Sequence, residues 1–194
     1  MTGSLLREEM WRAAEAVRVV HIERITALGV SLRAIAELGM DQHQFGVAPV
    51  RWLPGGMYEP DPDGEPAVIM PVMHWSVIEP FEGVLVEVPE IIDLIAWTTS
   101  DPTRWSWRCG AGWALGEHLM DEALPVRVVL RPLDWLAMSG NAICILDWAA
   151  PSSCWARLRS APPLQFTDDA LRQRVRNALI GSVALPAMEI NDAA

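Results

Sequence analysis

The sequence predicts a single α+β domain, with a largely antiparallel or mixed sheet, packed helices, an N-terminal helical hairpin and a C-terminal helix. Three observations predict this class. Two short, apolar, β-branched runs at 126–130 and 142–148 are typical of buried strands. Further strands are predicted at 67–75, 83–88, 90–97 and 104–109, and they resemble the successive strands of an antiparallel meander. Helical periodicity is found at both ends of the chain.

Residues 116–148 are the most informative stretch, because they read as helix, strand, helix, strand. Pro132 has the fixed φ angle suited to a first helical turn, and Gly140 can take the left-handed conformation that ends a helix. The connection of about eleven residues is just long enough for a right-handed crossover between parallel strands. A parallel pair is therefore allowed but not required.

The rest of the chain is assigned from caps and breakers. Ser4 is predicted to cap a helix reaching about residue 28, and Ser31 a second helix that ends at Gly39. Thr167 is predicted to cap the last helix, whose acids come first and arginines later. Within the one domain, 1–194, the predicted parts are a helical hairpin (1–40), a loop-rich connector (41–66), the sheet with its helices (67–180) and a flexible tail (181–194).

Composition favours a cytoplasmic protein without a membrane segment. Hydrophobic residues make up 51% of the 194, but the apolar runs are shorter than the ~18 residues needed to span a bilayer. The N-terminus carries acids early and does not resemble a secretory signal. Three cysteines without CxxC spacing, Cys109, Cys144 and Cys154, are typical of reduced, structural thiols. All the basic residues are Arg and Ala is abundant, which indicates a GC-rich bacterial genome.

Charge is the strongest functional signal. The net charge is −10, and residues 52–103 contain ten acids and no Lys or Arg, whereas acids and bases balance in the remainder. Such a segment attracts basic partners and repels nucleic acid. We therefore expect a non-catalytic, acidic interaction surface for a basic protein partner, formed by Glu79, Glu82, Glu87, Glu90 and Asp93. The alternative is a solvated face that only aids solubility. No oligomeric state is predicted.

A second hypothesis is an enzyme or small-molecule binder with an acid/base pocket near Glu117, His118, Asp134 and Asp147. The alternative is a surface helix and a capped strand end, since no spacing forces these groups together. No nucleophile motif or phosphate loop occurs, and the four histidines and three cysteines lack ligand spacing. The sequence thus predicts no catalytic residue, no cofactor and no metal.

A third hypothesis is an accessory protein of nucleic-acid transactions. Two helices joined by Gly29, Val30 and Ser31 have the layout of half a helix-turn-helix, but they show no basic face. The strand 104–109 (RWSWRC) alternates aromatic and basic residues, as single-strand binders do. Its Trp and Arg side chains are expected on opposite faces, and the pI of about 4.8 argues against general nucleic-acid binding.

Two segments carry a resemblance to mobile-element proteins. HIERITALGVSLRAIAELGMDQHQFGVAPV resembles the segment that precedes primase-type zinc-ribbon modules in mobile-element replication genes. It contains no Cys, so neither a zinc site nor a priming role carries over. PLDWLAMSGNAICILDW resembles small proteins of phage-derived elements. The resemblance implies a phage or mobile-element setting and transfers no functional residue.

Overall fold

Two sheets organise the protein, which a computed structural model describes over residues 3–38, 45–81, 83–121 and 124–183. The α-helices of these residues are α1 (Gly3–Glu15), α2 (Val19–Ala27), α3 (Leu32–Glu37), α4 (Pro132–Ala137), α5 (Ser152–Ser160) and α6 (Asp169–Gly181), and a 3₁₀ helix spans Glu117–Asp121. The strands are β1 (Gly46–Leu53), β2 (Met57–Pro60), β3 (Glu65–Phe81), β4 (Val84–Thr98), β5 (Asp101–Trp107), β6 (Ala114–Leu115), β7 (Val126–Val129), β8 (Ile143–Ile145) and β9 (Leu164–Phe166). The predicted α+β class, with N-terminal helices and a C-terminal helix, is confirmed.

The larger sheet is a closed five-stranded barrel with the order β1-β2-β5-β4-β3. β1 and β2 form a hairpin, and β3, β4 and β5 form the antiparallel meander that the sequence predicts. The barrel closes where Met57 of β2 lies parallel to Trp107 of β5. All the other neighbouring strands of the barrel are antiparallel.

The apolar stripe of α1 packs on the barrel. Leu6, Met10 and Ala13 belong to one core cluster with Tyr58 and other buried side chains of β1, β2, β3 and β4. Gly46 makes this close approach possible, because a Cβ atom there would overlap the backbone of Ala13. A residue without a side chain is therefore needed where β1 meets the helix.

The other face of β3 and β4 forms a second core with α2, α3 and α4. Met70, Ile95 and Trp97 are completely buried there, together with Cys144 of β8. Because both faces of these strands are covered, residues 67–72 are buried without alternation. This explains why the segment reads as a continuous apolar run in the sequence.

The second sheet is mixed, in the order β6-β8-β7-β9. β7 and β8 are parallel, and α4 is the crossover between them, so the strand, helix, strand unit forms the allowed parallel pair. Pro132 lies in the first turn of α4, and Gly140 has a φ of 78° beyond its end. α5 and α6 cover this sheet through a third cluster that includes Trp155 and Val175.

Two sequence expectations are wrong in detail. The helix predicted to reach residue 28 breaks after Glu15, because Arg18 is extended (φ −129°) and begins α2. The predicted connector 41–66 contains β1 and β2, which supply two walls of the barrel. The segment is rich in Pro, Gly and Asp, which are typical of loops, although Pro49 lies within β1 and pairs with β3.

Two further expectations concern the ends of elements. The predicted strands 83–88 and 90–97 are one continuous strand, β4, with Pro89 paired to Trp75. The predicted tail 181–194 begins inside α6, and its residues from 184 lie outside the described part of the chain. None of the described helices is long and apolar enough to cross a membrane.

Tyr58 is the only tyrosine, which makes it a probe of the barrel core. Burial, and then the Glu9 carboxylate that accepts its hydroxyl hydrogen bond at 3.2 Å, raise the pKa of Tyr58 far above 10. The folded protein should therefore show no tyrosinate absorbance at pH 11. Stability conferred by this pKa shift is complete below pH 10, the unfolded pKa, and falls as pH rises further, because the unfolded chain releases the proton.

The measurement is the free energy of unfolding between pH 9 and 11, compared with that of Tyr58→Phe. The wild type should lose up to about 1.4 kcal/mol more per pH unit above 10 than the variant. A tyrosinate signal with a midpoint near pH 10 in the native protein would contradict this assignment.

Candidate interaction site

A long β-hairpin extends beyond the barrel. β3 and β4 have 17 and 15 residues, whereas most strands have 3–10. β1 pairs with β3 only as far as Ile69, and β5 pairs with β4 only from Ile95 onward. We call residues 73–91, from the pair Met73 and Ile91 to the turn, the arm. At ~3.3 Å per residue, it is about 26 Å long.

The arm carries large apolar side chains that are exposed to solvent. They are Val77, Ile78, Phe81, Val84, Leu85 and Val86, of which Phe81 and Leu85 are 75% and 71% exposed. Ile78 lies opposite Val86, and Phe81 lies opposite Val84. Cross-strand partners point to the same side of a hairpin, so these four residues form one surface, which we call the apolar face. Contiguous exposed apolar surface of this kind marks interaction sites.

Two of the predicted acids lie exposed on the arm. Glu79 accepts a hydrogen bond from the backbone N–H of Gly83 at 2.6 Å, which closes the turn, and Glu90 lies opposite His74. Neither carboxylate forms an ion pair with a described residue. Glu82 lies outside the described residues, and of Glu87 only the backbone position, opposite Val77, is described.

The expectation that Asp93 belongs to this surface is wrong, because its exposure is 0%. Its carboxylate accepts hydrogen bonds from the backbone N–H groups of Cys109 (2.9 Å), Ala111 (2.7 Å), Gly112 (3.1 Å) and its neighbour Leu94 (2.8 Å).

The physical reason for the error is that the loop after β5 covers this part of β4. Val72 pairs with Asp93, but the next residue, Met73, pairs with Ile91, so Ile92 is an extra residue on β4. Asp93 therefore lies on the face of Val72, where the loop packs so closely that a Cβ atom at Gly112 would overlap the Val72 side chain.

The acids of residues 52–103 do not form one patch. Glu65 and Glu79 both lie on β3, fourteen residues apart, which is roughly 46 Å along a straight strand. At the barrel end, Glu59 is paired with Arg51, with Nε and Oε1 2.7 Å apart, and Glu65 accepts the indole N–H of Trp52 at 2.7 Å. On the arm, neither Glu79 nor Glu90 has a described counter-charge.

The predicted acid/base pocket is only partly assembled. Glu117, 6% exposed, forms an ion pair with Arg157, and its Oε1 lies 3.7 Å from Nδ1 of His74. His118 packs its ring on Trp75 with the centroids 5.4 Å apart. These five residues, which we call the root cluster, join the base of the arm to the second sheet. Sequence reasoning missed the roles of His74, Trp75 and Arg157.

The other two residues of that pocket are engaged within their own loops. Asp134 forms a two-pronged ion pair with Arg131 (2.9 and 2.6 Å), and Asp147 accepts the N–H of Ala149 at 2.8 Å. A cavity of 170 Å³ beside His118 is lined by none of the three carboxylates among the described residues. The geometry therefore does not favour acid/base chemistry.

The thiols are poor nucleophile candidates. Burial raises the pKa of Cys109, of Cys144 and of Cys154, and the nearby carboxylates Asp93 and Glu117 raise the pKa of the first and the last further. A thiol with a raised pKa is protonated and unreactive at neutral pH. Among the described residues, no group of three or more His, Cys, Asp or Glu is arranged to hold a metal ion; His43 lies outside them.

Comparison of the chain with protein-family models, with curated proteins and with solved structures finds no match. The argument for a function therefore rests on the arm and on the root cluster.

Asp93→Asn should destabilise the fold. Both carboxylate oxygens of Asp93 accept hydrogen bonds from backbone N–H groups, and the amide nitrogen of Asn cannot accept one. The buried N–H groups on that side would therefore lose their acceptor. We expect a loss of about 3 kcal/mol in the free energy of unfolding, measured by urea denaturation. Asp63→Asn removes the same charge from an exposed loop and should cost less than about 0.5 kcal/mol. Equal urea midpoints for the two variants would contradict this role of Asp93.

Arg157→Leu should also destabilise the fold, because it leaves the buried carboxylate of Glu117 without its main partner. We expect a loss of about 3 kcal/mol in the free energy of unfolding. Adding Glu117→Gln should restore part of it. The control is Arg172→Leu, whose partner Asp169 is exposed, with an expected loss below about 1 kcal/mol. An additive effect of the two changes at Arg157 and Glu117 would show that this ion pair contributes no coupling energy.

Proposed function

We propose that the protein is a non-catalytic interaction module that binds a basic protein partner through the arm. One observation carries this proposal: the arm extends from a closed barrel and combines six exposed apolar side chains with acids that have no described counter-charge. The cytoplasm is the proposed location, in keeping with three free thiols. The phage or mobile-element setting implied by the resemblance remains a hypothesis.

The apolar side chains supply the binding energy in this proposal. Burying a large apolar side chain contributes about 1.5–3 kcal/mol, and a few central residues usually dominate an interface. Phe81, near the turn, is the most exposed of the six and hence the best candidate for such an anchor. Within the barrel, both faces of β3 and β4 are buried in the protein's own core. The arm is the part of this hairpin that another molecule can contact.

The charge selects the partner. Residues 52–103 contain no Lys or Arg, so the arm itself contributes acids and no basic counter-charge of this kind. Opposite charge on a partner speeds encounter and excludes acidic competitors, and its effect weakens as salt screens it. A basic protein therefore fits this surface better than a nucleic acid or an anionic membrane.

The acid/base alternative gains no support from the site. The ion pairs of Glu117 with Arg157 and of Asp134 with Arg131 neutralise their charges within the protein. A role as a nucleic-acid accessory protein would require a basic face, which the acidic arm does not supply.

The proposal predicts that Glu79→Gln/Glu90→Gln weakens binding. Gln at position 79 retains an oxygen that can accept the turn hydrogen bond, so the change removes charge without removing the turn. The partner is first isolated from the native host at low salt and identified after elution in a salt gradient. Calorimetry should then give a Kd about 2–10-fold higher for the double variant, with a smaller salt dependence.

The matched control is Glu23→Gln/Asp63→Asn, which removes two exposed charges away from the arm. It should leave the Kd within about twofold of the wild type, because neither lost charge belongs to the arm. Equal effects of the two double variants would show that net charge alone drives binding and would sink the proposal.

A further inference from the structure

The free edges of the arm are poor templates for an added strand. Strand addition needs a regular row of backbone N–H and C=O groups. Pro89 of β4 has no N–H, and a proline within a ladder directs its nitrogen to the free side. It limits the open edge of β4 to residues 84–88. On β3, Pro80 interrupts one end, and the other end, at His74 and Trp75, packs against the 3₁₀ helix.

The apolar face is, in contrast, open and suitably sized for a helix. Its four residues, Ile78, Phe81, Val84 and Val86, occupy two cross-strand rows. Cross-strand Cβ atoms are about 5 Å apart and residues i and i+2 about 7 Å apart, so the four side chains cover a patch roughly 10 Å wide. This width matches the 10–12 Å diameter of an α-helix with its side chains.

Charge argues against a second copy of this chain as the occupant. Two arms placed together would bring Glu79 and Glu90 of one copy close to the same acids of the other, in a chain whose net charge is −10. Like charges at an interface cost free energy, whereas Lys or Arg beside an apolar stripe would meet them favourably.

We propose that the occupant of the apolar face is a basic amphipathic helix of the partner, about three to four turns long, which lies across the face rather than pairing with an edge. Its apolar stripe contacts Ile78, Phe81, Val84 and Val86, and its Lys or Arg residues lie beside Glu79 and Glu90. This inference rests on the proposed function and adds the conformation of the partner segment to it.

The test uses the full chain and three peptides of about 14 residues. The first is a Leu/Lys peptide with Leu at i, i+3, i+4 and i+7, the second has the same composition with Leu and Lys alternating, and the third replaces Lys by Glu in the helical pattern. Binding is measured by fluorescence anisotropy of labelled peptides, and bound conformation by circular dichroism difference spectra. We expect the first peptide to bind as a helix at least tenfold more tightly than the other two.

Paired variants separate the two faces of the arm. Phe81→Ser/Val86→Ser removes half of the apolar face and should weaken the first peptide at least tenfold. Val77→Ser/Leu85→Ser changes two exposed apolar residues outside that face and should weaken it less than twofold. All four positions are exposed, so both proteins should keep the wild-type thermal midpoint within a few degrees, which is the check on folding.

Two results would overturn the inference. Equal or tighter binding of the alternating peptide would indicate strand addition, and equal losses from the two serine variants would show that the apolar face is not the docking surface. If no peptide binds but the isolated partner still depends on Glu79 and Glu90, the helical mode falls while the proposed function stands. If that dependence is also missing, both fall.

Discussion

The buried carboxylate of Asp93 is the interaction on which the architecture depends. It accepts hydrogen bonds from backbone N–H groups of the loop that follows β5. In the same loop, the carbonyl oxygen of Gly112 accepts a hydrogen bond from the indole N–H of Trp107 at 3.2 Å. The backbone of Trp107 is the β5 side of the contact that closes the barrel. Two residues beyond Gly112, β6 begins the second sheet. One carboxylate thus fixes the barrel seam and the point where the chain leaves for the second sheet.

The same region sets the base of the arm. The bulge at Ile92, next to Asp93, begins the part of β4 that pairs with no described strand other than β3. On the β3 side, the root cluster joins His74 to the buried Glu117. The second sheet therefore supports the arm through packed and charged contacts at its base, while the turn, which projects farthest, makes no described contact of this kind. A rigid base and an exposed end suit a binding element, because little order is lost elsewhere when the end is covered.

Local signals in the sequence predicted some of this structure. Pro132 and Gly140 delimit α4, and the apolar runs around it form a parallel pair. The barrel was not predicted, since its closure depends on Met57 and Trp107, fifty residues apart, and no local pattern encodes such a pairing. The segment that contains β1 and β2 was predicted to be a loop-rich connector, because turn-forming residues occur within these strands as well as between them.

The candidate site was likewise predicted only where local sequence signals sufficed. Glu79 and Glu90 are exposed as expected. The concentration of acids in this segment can be counted directly from the sequence. Asp93 was misplaced because the loop that covers it lies sixteen to nineteen residues later in the sequence, and the pair of Glu117 and Arg157 joins residues forty positions apart. The apolar end of the arm was present in the sequence as VIEPFEGVLV, but an exposed hairpin and a buried one have the same composition. The basic partner remains a prediction.

The combination of acids and prolines explains how such an arm can remain exposed. An isolated hairpin with apolar faces and free edges tends to associate with itself. Many proteins protect such edges with lysine, which this chain lacks. Here Pro80 and Pro89 interrupt the edges, and the surrounding acids repel another copy without covering the apolar face. The protection against self-association therefore leaves the surface open to a molecule of opposite charge, so the same residues favour solubility and select the partner.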